Sequence, residues 1–135
     1  MTTPASGLPP SIVVSRRDAA RLEALLDAPQ WQHDATAEAL LGELARADIV
    51  DDADMPAGVV GMHSRVECVD DNSGERHQLT LVFPHEADAG AGRISILAPV
   101  GSALLGLAVG QSIDWNTPQG RTLRLRVTEV HPGGH

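Results

Sequence analysis

The chain has 135 residues, ten basic and eighteen acidic, for a net charge of −8, with 42% apolar residues and one cysteine. That length and apolar content suit one folded domain with at most a small appendage, and they exclude wholesale disorder. A membrane span is excluded by the lack of any run of about 18 apolar residues.

The start, residues 1–10, is uncharged and carries Pro4, Pro9 and Pro10. It has neither the basic nor the apolar part of a signal peptide and reads as a flexible tail. Lone Cys68 cannot form an internal disulfide, so a cytoplasmic protein is expected. Residues 11–14, Ser-Ile-Val-Val, suit a short edge strand. Ser15 offers a helix N-cap with Asp18 three positions on, a variant of the capping box. From 16 to 28 the apolar residues Ala19, Leu22, Leu25 and Leu26 recur at helical spacing, and Pro29 stops the helix. A second helix starts at Asp34 or Thr36, either able to cap, and runs to about Asp48 with Leu40, Leu41, Leu44 and Ala47 on one stripe. The short connector predicts an antiparallel helical hairpin over residues 11–50, with arms of about 20 Å for 13 residues.

Residues 51–58 hold Asp51, Asp52, Asp54, Pro56 and Gly58, the composition of an acidic linker. The apolar period then changes from 3.6 to 2. Val66 and Cys68 alternate with Arg65 and Glu67, the run Asp70-Asp71-Asn72-Ser73-Gly74 makes a turn, and Leu79, Leu81 and Phe83 alternate with Gln78, Thr80 and Val82 to complete a β-hairpin. A turn at 90–92 and a strand at 94–97 follow. Pro99 at N1 begins one short helix, 111–115 is a strand, and 118–120 is a turn. The final strand alternates Leu123, Leu125 and Val127 inward with Thr122, Arg124, Arg126 and Thr128 outward, and 131–135 is read as a frayed end. The fold class is α+β: a short hairpin, then an antiparallel sheet over residues 59–131 with one short helix.

Charge and motifs narrow the chemistry. All ten basic residues are arginine; residues 1–58 carry four against ten acids, net −6, and residues 59–135 carry six against eight, net −2. An acidic front half disfavours direct binding to DNA or RNA, sequence-specific binding included, because phosphate contacts need clustered cations. It is compatible with docking on a basic protein surface or with a mere role in solubility. His85-Glu86 lacks the second His of a zinc helix, and the six His are scattered. Cys68 reads as a small buried hydrophobe. Gly101, Gly106 and Gly110 are not followed by the Lys of a phosphate loop, and the 51–54 acids lack an EF-hand Glu. No catalytic, cofactor or metal residues are therefore expected.

One stretch is more specific. Ile94 to Gly110, Ile-Ser-Ile-Leu-Ala-Pro-Val-Gly-Ser-Ala-Leu-Leu-Gly-Leu-Ala-Val-Gly, followed by Trp115, Pro118 and Gly120, resembles the C-terminal signature of the Gre transcript-cleavage factors. With Asp54-Met55-Pro56 and the 59–66 run, the chain is more closely similar to the shortened Rnk branch, the regulators of nucleoside diphosphate kinase. The resemblance spans residues 10–130. It implies a coiled-coil hairpin followed by an FKBP-like domain, and RNA polymerase as partner. Gre factors grip the rim of the polymerase secondary channel with the segment matching Leu97, Ala98 and Pro99. Leu97 and Ala98 replace polar residues of that pattern, and Pro99 is retained. Gre factors also hold a metal at the hairpin tip, here Asp27, Trp31 and Asp34, where capping and dipole compensation explain both acids as well. The expectation is a non-enzymatic transcription regulator that occupies the channel mouth and competes with Gre-type factors. The alternatives are an FKBP-like peptidyl-prolyl isomerase and a true transcript-cleavage factor.

Overall fold

The structure is a computed structural model that describes residues 12–116 and 120–132; the expected tail at 1–10 and most of the turn at 118–120 lie outside them. Strand β1 (Val13–Ser15) leads into helix α1 (Arg16–Leu26), a 3-10 turn at Pro29–Trp31, helix α2 (Ala35–Arg46) and strand β2 (Asp48–Val50). The caps lie where the sequence places them: Ser15 Oγ accepts the Asp18 N–H at 3.2 Å, and Asp34 Oδ2 accepts the Ala37 N–H at 2.8 Å. The first helix ends at Leu26, two residues earlier than expected, because Pro29 forces Ala28 into extended backbone at ψ 141°. Residues 48–50, expected to be the end of the helical hairpin, instead form β2. This strand pairs in parallel with β1, so a two-stranded ribbon closes the base of the hairpin.

The second sheet contains β3 (Arg65–Asp70), β4 (Arg76–Val82), β5 (Arg93–Ser95), β6 (Ser112–Asn116) and β7 (Thr122–His131), in the order β5-β4-β3-β7-β6. Between β5 and β6 lies the short helix α3 (Pro99–Leu104). The expectation of a wholly antiparallel sheet is corrected at one edge, where β4 and β5 run parallel. The reason is the connection between them, residues 83–92. It makes two 3-10 turns and returns the chain to the start of β4's neighbour instead of reversing it in a tight hairpin. Gly92, at φ +76°, permits the return, since a Cβ there would lie 2.7 Å from the Gln78 carbonyl oxygen. A second correction concerns the end of the chain: His131, expected to fray, is the last residue of β7, paired opposite Arg65.

One contiguous apolar core joins the two parts. Leu22 and Leu26 of α1, Leu40 and Leu44 of α2, Leu104 of α3, and Val66, Leu81 and Leu125 of the sheet all belong to it. Leu41, expected on the buried stripe, is 43% exposed. Apart from that residue, the helical stripes face the body of the protein. No helix among the described residues is long and apolar enough to cross a membrane.

Candidate functional site

The 97–99 segment sits where β5 turns into α3, and Ser95 organises the turn. Its hydroxyl accepts the Leu97 N–H at 3.0 Å, and its carbonyl accepts the Ala98 N–H at 3.0 Å. Ile96 is fully buried and donates its N–H to the Val82 carbonyl at 2.8 Å. Ala98 is the extended N-cap of α3, and its carbonyl accepts the Ser102 N–H at 2.9 Å. Pro99 follows at N1, where a missing N–H costs nothing. Leu97 and Ala98 are half-buried, each with one side against the core. The segment is therefore a backbone shape fixed from beneath, with part of two small apolar side chains left at the surface.

The glycines of the signature stretch have local reasons. A Cβ on Gly101 would fall 1.9 Å from the Ser95 carbonyl oxygen, so α3 can pack on the 95–96 backbone only with glycine there. Gly106, at φ +83°, would place a Cβ 2.5 Å from Cβ of Ile12. Its N–H bonds the Val60 carbonyl at 3.0 Å, and the Val60 N–H returns to Leu107 at 2.8 Å. Beside α3, a cleft of about 510 Å³ opens toward α2, lined by Ile12, Ala39, Leu40, Glu43, Ala103 and Leu107 among others.

The hairpin tip is separate from this segment, in the loop between α1 and α2. Asp27 is the exposed C-cap of α1, where an acid opposes the helix dipole and does not compensate it as expected. Its carbonyl accepts the Gln32 amide at 3.3 Å. Asp34 is committed to capping α2. Trp31 is half-buried against the core, and its indole N–H is buried without a hydrogen-bond partner. With Glu23, Glu38 and Leu41 these residues border a hollow of about 200 Å³.

Sequence reasoning missed two features that only the fold brings together. His63 adopts φ +66°, a conformation rare for a residue with a Cβ. Its Nε2 lies 2.8 Å from Glu86 Oε1, which also accepts the Phe83 N–H at 3.1 Å. Burial pushes the Glu86 carboxyl up, but the hydrogen bonds from His63 and Phe83 and the nearby imidazole charges outweigh it and hold the group below its usual value. The second feature is a group of Glu67, Glu129 and His131 on the open face of the sheet. The buried Cys68 thiol, by contrast, is as inert as expected: burial pushes it up to about 11.

Comparison with known proteins agrees with the resemblance. Residues 55–132 match the family model described as transcription elongation factor GreA/GreB, C-terminal, and residues 10–50 match Rnk N-terminus. The chain is 40% identical over 121 residues to the regulator of nucleoside diphosphate kinase of Escherichia coli K12, covering 90% of this chain and 89% of that protein. It is 38% identical over 76 residues to transcription elongation factor GreA of Rhodospirillum rubrum, covering 56% of this chain and 48% of that protein. Among solved structures, a prokaryotic transcription elongation factor GreA/GreB from Nitrosomonas europaea superimposes with a TM-score of 0.81 at 46% identity, over 92% of this chain and all of that one. GreA factor homolog 1 of Thermus thermophilus gives a TM-score of 0.53 at 27% identity, over 91% of this chain and 100% of that chain. The chain belongs to the Gre family of transcription elongation factors, in the branch that carries the Rnk N-terminal segment.

Proposed function

We propose that this protein is a non-enzymatic regulator of transcription. In this reading it docks on RNA polymerase near the secondary channel through the 97–99 segment and competes there with Gre-type factors. The observation that carries the reading is the size and seating of the helical pair. Helices of 11 and 12 residues reach only about 17 Å. Leu22, Leu26, Leu40 and Leu44 are sunk in the shared core, so the tip cannot extend far from the body. The C-terminal part nonetheless matches the Gre pattern across residues 55–132. Docking without reach means steric occupation of the channel mouth, in the cytoplasm where polymerase works. The influence on nucleoside diphosphate kinase enters from the name of the Escherichia coli relative and belongs to the same proposal.

We read residues 59–131 as an FKBP-like arrangement and the helical pair as a short coiled-coil hairpin, which makes peptidyl-prolyl isomerisation the rival. That chemistry needs an aromatic-lined apolar pocket. The two aromatic side chains of the sheet region are already engaged. Phe83 stacks on His85 with ring centroids 6.4 Å apart and meets His63 edge-on at 5.6 Å, while Trp115 meets His77 edge-on at 5.9 Å. A polymerase pull-down run beside a proline-isomerisation assay separates the readings. Retention on polymerase with no isomerase activity is expected, and the reverse pattern would replace this reading with the rival.

A further inference from the structure

The open face of the sheet carries a cluster that polymerase docking leaves unused. The ladder between β3 and β7 slips after Glu67: Glu67 lies opposite Glu129, but Cys68 lies opposite Val127. Thr128 is thus the extra residue of a β-bulge, and its hydroxyl donates to the Glu67 carbonyl at 3.0 Å. The bulge makes two carboxylates direct cross-strand neighbours, a pairing of like charges that weakens a ladder unless a cation lies between them. His131 follows Glu129 by two residues and so stands on the same face. Its Nε2 is 3.1 Å from Glu67 Oε2 and 3.1 Å from Glu129 Oε1. The ligand atoms of all three residues lie within 4.8 Å of one another.

A single ring N–H on Nε2 can serve one of those carboxylates well, but not both. A metal ion in its place would serve all three residues. Tetrahedral zinc, with bonds near 2.1 Å, holds its ligands about 3.4 Å apart, so the two imidazole–carboxylate spacings of 3.1 Å already fit within a few tenths of an ångström. A hollow of about 150 Å³, bordered by Glu67, Arg76, His77, Thr128 and Glu129, lies alongside and has room for water to complete the shell. One imidazole with two carboxylates suits a borderline ion, whereas magnesium and calcium take oxygen ligands.

We propose that Glu67, Glu129 and His131 form a binding site for a divalent transition-metal ion of the zinc class, with water in the remaining position. The ion pins the end of β7 to the middle of β3 across the bulge. Arg65, opposite His131 in the ladder, and Arg76 at the rim of the hollow oppose the added charge, so the site is one of modest affinity. This inference is independent of the polymerase reading.

The test is a zinc titration of chelator-stripped full-length protein at pH 7.5, followed by calorimetry and by thermal melting. One saturable site per chain is expected, with a zinc-dependent rise in Tm. Glu129→Gln and His131→Ala should each weaken it about tenfold or more, a loss of the size that altered ligand shells produce. Glu129 is exposed and its replacement is isosteric, so that variant tests the site without threatening the fold. His85→Ala should leave the site intact, and magnesium should give neither heat nor a shift. No saturable zinc binding, binding that both variants retain in full, or loss of the site in His85→Ala would overturn the assignment.

Discussion

The carboxylate of Asp18, in the first turn of α1, accepts the backbone N–H of Met62 at 2.9 Å, across 44 positions of sequence. Asp18 therefore completes only half of the capping box that its spacing from Ser15 suggests. Its N–H bonds the Ser15 hydroxyl, while its side chain reaches away to the loop before β3. Gly61 allows the approach, since a Cβ there would stand 2.9 Å from the same carboxylate oxygen. This side chain thus ties the helical pair to the loop that leads into the sheet, in addition to the apolar core they share. Replacing Asp18 by Ala strands the Met62 N–H beside a buried side chain and should lower stability by about 1–3 kcal/mol. Asp18→Asn, which keeps an acceptor, should lose less. Urea denaturation measures both, and equal stability of wild type and Asp18→Ala would remove this contact from the account.

Gly101→Ala probes the seat of the docking segment. The added methyl would overlap the Ser95 carbonyl oxygen, 1.9 Å away on an unmoved backbone, and neither partner is a flexible side chain. Overpacking of this kind destabilises by about 1–3 kcal/mol, and here it should also shift the 95–98 turn. The melting temperature and the amide exchange of Leu97 and Ala98 should change together. A fully stable variant with unaltered exchange would show that the turn does not depend on this close approach.

Acid should act through Asp70, which is only 2% exposed. The Ser73 hydroxyl at 2.7 Å is the main cause that holds its carboxyl below the usual 3.8; burial opposes it, and the N–H groups of Arg124 and Asn72 add to it. A carboxyl lowered by folding contributes stability that is complete above the unfolded value of about 3.8 and disappears as pH falls through the folded value. Wild type should therefore lose stability below that point. Asp70→Asn should be less stable at pH 7 and show a flatter acid limb in chemical denaturation. An unchanged acid limb in the variant would assign acid sensitivity to other carboxylates.

The docking proposal makes a claim about Leu97 and Ala98. Both are half-buried, so a charge on either projects into the proposed contact from a supported backbone. Ala98→Glu and Leu97→Asp should each weaken polymerase binding about tenfold, equivalent to about 1.4 kcal/mol. Leu97→Asp should also lower stability because part of its side chain packs on the core. Ala98→Glu keeps the experiment decisive if Leu97→Asp unfolds. Full binding by a folded Ala98→Glu variant would place the contact elsewhere.

The helices were readable because their signals are local: Ser15 and Asp34 cap within three residues, and Leu22, Leu26, Leu40 and Leu44 repeat at helical spacing. The β3–β4 hairpin and β7 were readable from alternation and from the Asp70–Gly74 turn. The β1–β2 ribbon was not. Its strands are three residues each, and their pairing depends on a crossover through both helices. The parallel edge at β5 was hidden for the same reason, because strand direction is decided by a connection and not by strand composition. The Glu67–Glu129–His131 group was invisible because it joins positions 64 residues apart through a bulge that leaves no mark on the alternation. The 97–99 segment was found by resemblance alone; its half-burial and the role of Ser95 beneath it needed the fold.

Occupation of a shared docking site is measured most directly by transcript cleavage in backtracked elongation complexes, with a Gre factor held constant and this protein added in increasing amounts. Cleavage should fall toward the polymerase's intrinsic rate along a simple competition curve, and saturating Gre factor should restore it. The protein alone should add no cleavage, and Asp27→Asn and Asp34→Asn should compete as wild type does. Both proteins bound to one polymerase with cleavage unaffected would contradict occupation of a shared site.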